Sequence, residues 1–212
     1  MRELRYTLVC DGSSDRALIP ILTWLLKQLL PGILIQSQWA DLRRLMPPPR
    51  QFIEKIEKSI EFYPCDLLFI HRDAERSSYE NRRTEIVKAL SQIDLHHPYV
   101  CVIPVRMTEA WLLIDDQAIR QAAGNPAGQQ PLPLPLIREL ESLPDPKRIL
   151  SEMLRNASEL RGRRLKKFAA ADHAWKISMY IRDFSPLKNL AAFQQLEEEL
   201  LVVLSKHLSL RS

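Results

Sequence analysis

Cysteine is scarce in this sequence, and its scarcity excludes two classes of small protein. The 212 residues contain three cysteines, Cys10, Cys65 and Cys101, and no Cys-x-x-Cys pair. An odd number of thiols without paired spacing indicates neither a disulfide framework nor a zinc site. All three lie in or beside apolar, strand-like runs, so we expect buried free thiols in a reducing compartment.

Long uninterrupted apolar runs are also missing. The longest, residues 18–30, is broken by Thr23, Lys27 and Gln28 and is too short to span a bilayer. The N-terminal segment MRELRYTLVCDGSSD has only a short apolar run before an aspartate, which is not typical of a signal peptide. We therefore expect a cytoplasmic protein with no membrane partner.

The composition that is present suits an ordinary globular protein. Hydrophobic residues make up 46% of the chain and charged residues 26%, enough for one substantial core. The net charge of +4 permits a polyanionic partner without requiring one.

The first half of the chain alternates strand-like and helix-like segments. Apolar runs predict strands at 4–10, 32–39, 67–70 and 98–105. The apolar spacing between them predicts helices at 13–30, 47–63 and 80–93. This order is typical of an α/β fold, with a mostly parallel sheet of about four strands flanked by helices, in a domain covering 1–123.

The second half has a different character. Residues 124–136 are rich in proline and carry no charge, which predicts a loop. Residues 137–212 contain helical patterns and no evident strand. We expect this helical, partly basic extension to pack on the first domain.

Acidic side chains follow three of the predicted strands. Asp11 ends the first strand and Asp15 lies one helical turn later, Asp73 and Glu75 follow the third, and Glu109 follows the fourth. Ligands of open α/β sheets gather at the carboxyl ends of the strands. Carboxylates brought to one edge repel one another unless a cation lies among them, and Mg²⁺ or Mn²⁺ prefers such oxygen ligands. The sequence therefore predicts a metal site formed by these five acids.

Each acid also has a plain structural explanation. Asp15 and Glu109 could be first-turn acids favoured by the helix dipole, the latter with Thr108 as a cap. Asp11 could shape a turn, and the pair after the third strand could simply open a polar loop. Their coincidence at one sheet edge favours the metal site.

Three aromatic or imidazole side chains near these acids are expected to be structural. His71 precedes the acid pair, and a strand-end histidine bonded to backbone is the preferred interpretation over catalysis. Trp111 and Trp175 lie in helical patterns and are expected to pack rather than to stack on bases.

A basic segment lies in the helical extension. The run RGRRLKK, residues 161–167, places five cations in seven residues. Phosphate backbones favour such clusters through counterion release, although a solvated helix face is the common alternative. We expect contact with nucleic acid at Lys147, Arg161, Arg163, Arg164, Lys166 and Lys167.

A family resemblance follows from the order of these motifs. The segments TLVCDGSSDRALIPILTWLL, DLLFIHRDAE, VIPVRMTEAWLLID, DPKRIL and IRDFSPLKNLAAFQQLEEEL resemble a family of short bacterial Toprim-like proteins of unassigned function. That family is related to the Toprim domain of OLD-family nucleases. The resemblance implies a Toprim/Rossmann-like sheet, a general acid/base role for Asp11, a metal pair of Asp73 and Glu75, and further acids at Asp15 and Glu109.

Two residues depart from the family pattern. Asp11 is shorter than the glutamate that Toprim proteins place there, and Glu75 is longer than the expected aspartate. Both changes bear on catalysis, because proton transfer depends on the reach of the side chain.

The leading hypothesis is a Mg²⁺- or Mn²⁺-dependent nuclease with Asp11, Asp73 and Glu75 as catalytic residues. By family analogy it works with an ATPase or a defence-system protein. The alternative is a non-catalytic module that binds nucleic acid or a partner, and a metal-dependent adhesion site at DGSSD ranks last.

Overall fold

The fold is built on a four-stranded parallel sheet. The computed structural model describes residues 3–208, with the strands Glu3–Val9 (β1), Leu34–Trp39 (β2), Leu67–His71 (β3) and Tyr99–Val102 (β4). Their order across the sheet is β2-β1-β3-β4, and every neighbouring pair is parallel. The prediction of an α/β fold with about four strands is confirmed.

Helices flank the sheet and form the C-terminal part. The α-helices are Leu18–Leu29 (α1), Phe52–Phe62 (α2), Tyr79–Leu90 (α3), Asp116–Ala122 (α4), Pro146–Ser158 (α5), Gly162–Lys167 (α6), Ala171–Ala174 (α7), Ile177–Tyr180 (α8) and Ala191–Leu208 (α9). Short 3₁₀ helices occupy Ser14–Ala17, Leu42–Arg44, Thr108–Leu112, Ile137–Ser142 and Ser185–Asn189. Among the described residues no helix is long and apolar enough to cross a membrane.

The centre of the sheet is buried on both faces. Every residue of β3 is buried, because β3 lies between β1 and β4 and helices cover it above and below. On one face Phe69 packs edge-on against Tyr6, with ring centroids 5.2 Å apart, in a core shared with α1 and the C-terminal helices. On the other face Ile70 packs with Ile56 of α2 and Ile86 of α3. The alternation of β3 side chains therefore supplies two separate cores.

The C-terminal helices complete the larger core. Trp111 is fully buried and packs against Phe193 of α9, with ring centroids 5.4 Å apart. Trp175 is partly buried against the same core. The interpretation of both tryptophans as packing residues is confirmed. Residues 124–136 contain no helix or strand, and no strand follows Val102 in the described part of the chain.

Prolines explain where the observed elements differ from the predicted ones. The first helix was expected from residue 13, but α1 begins at Leu18 and follows a 3₁₀ turn. Pro20 then occupies the third helical position, where its missing N–H removes no hydrogen bond. The prolines at 47–49 similarly delay α2 to Phe52. The strand β4 stops at Val102, before Pro104, whose carbonyl still accepts a hydrogen bond from the Ala74 amide at 3.0 Å.

The three cysteines are free, as predicted, but only Cys101 is fully buried. Cys10 and Cys65 are partly exposed. Burial raises the pKa of the Cys101 thiol to about 12, with the nearby Glu199 carboxylate adding to the effect. Its thiolate is therefore strongly disfavoured at neutral pH.

Candidate active site at the carboxyl edge of the sheet

A small pocket lies where β1 and β3 end. Its volume is about 330 Å³, and the predicted ligands Asp11, Asp15, Asp73 and Glu75 all contribute to its wall. The remaining wall residues are Gly12, His71, Arg72 and Arg82. This acidic pocket therefore collects four of the five predicted ligands, because parallel strands bring their carboxyl ends to one edge.

His71 lies at the centre of the loops that form the pocket. Its side chain is buried, and Nδ1 donates to the carbonyl oxygen of Val102 at 2.9 Å. This bond confirms the interpretation of a strand-end histidine held by backbone. The other nitrogen, Nε2, faces three oxygens: Thr108 Oγ1 at 3.4 Å, Asp73 Oδ1 at 3.6 Å and Asp15 Oδ2 at 3.9 Å. His71 thus joins the loops after β1, β3 and β4.

Asp73 carries the most perturbed carboxyl group of the pocket. Its Oδ1 accepts hydrogen bonds from the Thr108 amide at 2.9 Å and the Thr108 hydroxyl at 3.1 Å. Burial raises the pKa of Asp73 to about 6, and the neighbouring Asp15 and Glu109 carboxylates add to the rise. Opposing them, the nearby His71 lowers it. Thr108 therefore donates hydrogen bonds to an acid of the pocket, and the idea that its side chain caps a helix is wrong.

Asp15 is fixed by the loop that carries it. Its Oδ2 accepts a hydrogen bond from the Gly12 amide at 2.9 Å, and its Oδ1 accepts one from the Ser14 hydroxyl at 3.2 Å. These bonds hold the carboxylate toward the pocket, where His71 and Asp73 lie. Asp15 is thus more than a first-turn acid, although it does lie in the first turn of the 3₁₀ helix.

Asp11 is already engaged by two cations. Lys55 of α2 places Nζ 2.6 Å from Asp11 Oδ1, and Arg72 places Nε 3.7 Å from Oδ2. The Asp11 side chain is also half exposed, at 53%. The residue assigned a general acid/base role by resemblance therefore lies in an ion-paired, solvated position.

Glu75 departs from the extended geometry expected for an acid pair spaced two apart. The strand β3 ends at His71, and Glu75 adopts a left-handed backbone with φ of 55°. Its amide donates to the carbonyl of Arg106, which is also left-handed with φ of 67°. Two such non-glycine residues joined at 2.9 Å store backbone strain, which tends to concentrate at functional sites.

Glu109 lies outside the acidic pocket. It lines a neighbouring groove of about 790 Å³ between the loop after β1, the 3₁₀ helix Thr108–Leu112 and α5, here called the α5 groove. Burial raises the pKa of Glu109, the Lys147 ammonium lowers it, and Asp15 raises it. Glu109 is thus an electrostatic neighbour of the pocket, in the first turn of a 3₁₀ helix as its plain structural explanation proposed.

The predicted nucleic-acid residues are divided between two surfaces. Lys147 lines the α5 groove beside Glu109. Arg161, Arg163, Arg164, Lys166 and Lys167 are exposed on or next to α6. Arg155 connects the two surfaces, because it lines both the α5 groove and a depression of about 470 Å³ that includes Arg161.

Several side chains of the site carry no recognisable sequence signal. Lys55 reaches Asp11 from 44 positions away along the chain, and Arg72 and Arg82 read as ordinary loop and helix cations. Arg16 lines the α5 groove and stacks on Trp175. These contacts depend on the tertiary structure, although the position of Arg16 directly after Asp15 was a usable hint.

The side chains of the acidic pocket are of the type that a divalent cation prefers, but they are not positioned to bind one. Carboxylate oxygens are the ligands that Mg²⁺ and Mn²⁺ prefer. Burial is the main cause of the raised pKa of Asp73, and a cation would relieve the repulsion that Asp15 and Glu109 add to it. Within residues 3–208, however, no group of three or more His, Cys, Asp or Glu side chains is arranged to hold a metal ion. Ligation would require the carboxylates to converge further.

No protein-family model, curated protein or solved structure matches this chain. The Toprim-like resemblance therefore stays an expectation from the sequence motifs.

Proposed function

We propose that this protein is a Mg²⁺- or Mn²⁺-dependent enzyme acting on phosphodiester bonds, a nuclease of the Toprim-like type with DNA or RNA as substrate. The observation that carries the proposal is the acidic pocket itself. Four carboxylates from the ends of β1 and β3 line one small cavity, and the α5 groove with its cations lies beside it. Metal-assisted phosphoryl chemistry requires acidic side chains that bind the metal ion and, next to them, basic side chains that bind phosphate.

Asp15 and Asp73 are the acids best oriented to hold an ion. Both face His71 Nε2 from different strand ends, and both are largely shielded from solvent. Asp11 and Glu75 line the same pocket, and Glu109 acts on it electrostatically. When bound, a divalent ion supplies an activated water and neutralises charge on the phosphate.

The remaining side chains suit substrate binding. Arg82 Nε is buried and has no hydrogen-bond partner among the described residues, although its guanidinium also pairs with Glu85 at 2.6 Å. Buried donors are normally satisfied, so an unpaired one in a pocket wall favours an anionic ligand. In our proposal Arg72 and Arg82 bind phosphate oxygens, while His71 orients Asp73 and Asp15.

A non-catalytic binding module is the second candidate, and one observation favours it. Lys55 and Arg72 neutralise Asp11, the proposed proton carrier. In that case the acids would hold a metal or nothing, and the basic surfaces would bind nucleic acid without cleavage.

Cleavage assays separate the two candidates. Plasmid and single-stranded substrates are incubated with Mn²⁺, and we expect cleavage by the wild type and none by Asp73→Ala. Asp94→Ala is the matched control, because Asp94 is an exposed acid in the loop before β4, at the opposite edge of the sheet. Absence of cleavage in every metal tested, or cleavage that survives Asp73→Ala, would contradict the proposal.

Metal binding is measured independently of cleavage. Titration calorimetry with Mn²⁺ is expected to detect binding that Asp73→Ala weakens and Asp94→Ala leaves unchanged. If Asp73→Ala binds Mn²⁺ as tightly as the wild type, the proposed metal site is wrong, whatever the cleavage assay shows. We also propose a cytoplasmic location, which the free thiols of the sequence favour, and an ATPase or defence-system partner, which rests on family analogy.

A further inference from the structure

Arg16 is an arginine without an anionic partner. It lies in the 3₁₀ turn Ser14–Ala17, next to Asp15 and on the wall of the α5 groove. Its guanidinium carbon lies 3.4 Å from the centroid of the Trp175 ring. Within the described part of the chain no carboxylate forms a salt bridge with it, and its buried Nε has no hydrogen-bond partner. Such a donor is normally satisfied, and an anionic ligand would satisfy it.

The stacking on Trp175 determines how Arg16 can bind. A guanidinium held flat on an aromatic face keeps its N–H donors in the ring-parallel plane, pointing outward at the edges. That arrangement fits the oxygens of a phosphate, which a guanidinium binds with two parallel hydrogen bonds. It also covers part of the Trp175 ring, so this residue supports a phosphate contact rather than base stacking.

The ion pairs among the charged side chains of the α5 groove explain why an anion would bind at Arg16. Four cations and four acids line the groove, so its formal charge is balanced as a whole. Two of the four acids are engaged: Glu152 pairs with Arg148 at 2.6 Å, and Asp145 accepts a hydrogen bond from the Arg148 amide at the start of α5. Among the described residues Arg16 forms no such ion pair, and Lys147, which lines the same groove, lowers the pKa of the partly buried Glu109.

Arg155 connects the α5 groove, which contains Arg16, to the cations of α6. The α5 groove meets the depression next to α6 at Arg155, which lines both. From there the exposed cations of α6 continue outward. A nucleic-acid strand lying on α6 would therefore reach Arg16 and, beyond it, the loop that carries Asp15.

We infer that Arg16, held on Trp175, binds a backbone phosphate of a nucleic-acid strand that runs along the α5 groove toward the acidic pocket. This inference rests on the proposed function, because it supplies the substrate contact of the same site. Binding does not require the metal, so it can be measured separately from cleavage.

The test is fluorescence anisotropy with a fluorescein-labelled oligothymidylate in EDTA, over a series of salt concentrations. We expect the wild type to bind, and Arg16→Ala to bind about tenfold more weakly with a salt slope smaller by about 0.7, the value for one phosphate contact on a single strand. Arg138→Ala, which removes an exposed arginine outside the groove, is expected to match the wild type. Arg16→Lys should retain the slope, because it retains the charge.

Several results would contradict the inference. If the wild type does not bind the oligonucleotide, or Arg16→Ala binds with unchanged affinity and slope, the inference is wrong. If inorganic phosphate changes the tryptophan fluorescence of the wild type but not of Trp175→Phe, while the oligonucleotide does not bind, the site takes a free anion and the inference is also wrong. Should Arg16→Ala fail to fold by circular dichroism, Arg16→Gln replaces it, since its planar amide can stay on Trp175 without charge.

The outcome is separable from that of the cleavage assay. If binding depends on Arg16 but the protein cleaves nothing in Mn²⁺, the phosphate contact is supported and the nuclease proposal is contradicted. If the protein cleaves but Arg16→Ala binds as the wild type does, the nuclease proposal is supported and the Arg16 contact is contradicted.

Discussion

Lys55 and Asp11 form an ion pair that joins α2 to the end of β1, with 2.6 Å between Nζ and Oδ1. The pair puts a cation of the chain itself on the acid that would carry the proton. The choice between an enzyme and a binding module therefore depends on whether a divalent ion or a substrate displaces Lys55.

Removal of Lys55 is expected to strengthen metal binding. An exposed ion pair contributes at most about 1 kcal/mol, so Lys55→Met should raise the affinity for Mn²⁺ by roughly twofold to fivefold. Titration calorimetry at low ionic strength measures the change. Lys58→Met is the matched control, because Lys58 lies on the same helix and pairs with Glu61 instead. Equal affinity in Lys55→Met would show that Asp11 is not a ligand.

Asp73 is expected to cost stability at neutral pH in metal-free buffer. Burial raises its pKa from 3.8 to about 6 in the folded protein, with Asp15 and Glu109 adding to the rise and His71 opposing it. The stabilising contribution of the protonated form is complete below 3.8 and is lost as the pH rises through about 6. Asp73→Asn keeps an oxygen for Thr108 and removes the charge.

Urea unfolding in EDTA measures this effect. Asp73→Asn should be more stable than the wild type at a pH of about 7.5, by at most roughly 3 kcal/mol, and the difference should vanish below a pH of about 4. Asp94→Asn, at an exposed position, should show no such difference. A less stable Asp73→Asn at neutral pH would mean that the hydrogen bonds to Thr108 need the full charge.

Asp11 provides the test of catalysis. Because proton transfer needs hydrogen-bond reach, Asp11→Glu should retain or raise any Mn²⁺-dependent cleavage, while Asp11→Asn should abolish it. Cleavage rates of the purified variants, with circular dichroism to verify the fold, measure this. Cleavage that survives Asp11→Asn would show that another residue transfers the proton. If no variant cleaves, including Asp11→Glu, the binding-module candidate is favoured.

The exposed arginines around α6 are expected to contribute affinity through charge alone. Replacing Arg161, Arg163 and Arg164 together by Ala should lower the affinity for nucleic acid and reduce its salt slope, by about 0.7–0.9 for each lost phosphate contact. Anisotropy over a salt series measures both quantities. Affinity and slope that ignore all three changes would identify α6 as a merely solvated helix.

The fold class could be predicted from local patterns. The fully apolar run of β3 required cover on both faces, and the alternation of strands with amphipathic helices left a parallel sheet as the arrangement that buries them. The gathering of Asp11, Asp15, Asp73 and Glu75 at one pocket follows from the same rule, because the carboxyl ends of parallel strands share an edge.

The pairing within the site was decided only by the tertiary structure. The spacing of Asp73 and Glu75 suggested one extended face, but hydrogen bonds to the β4 loop turn Glu75 into a left-handed conformation. Lys55 reaches Asp11, and Arg16 reaches Trp175, from elements far apart in the chain. A sequence pattern shows which side chains lie on one face of a local segment. Which charged groups come into contact depends on long-range packing, and those contacts determine the chemistry of this pocket.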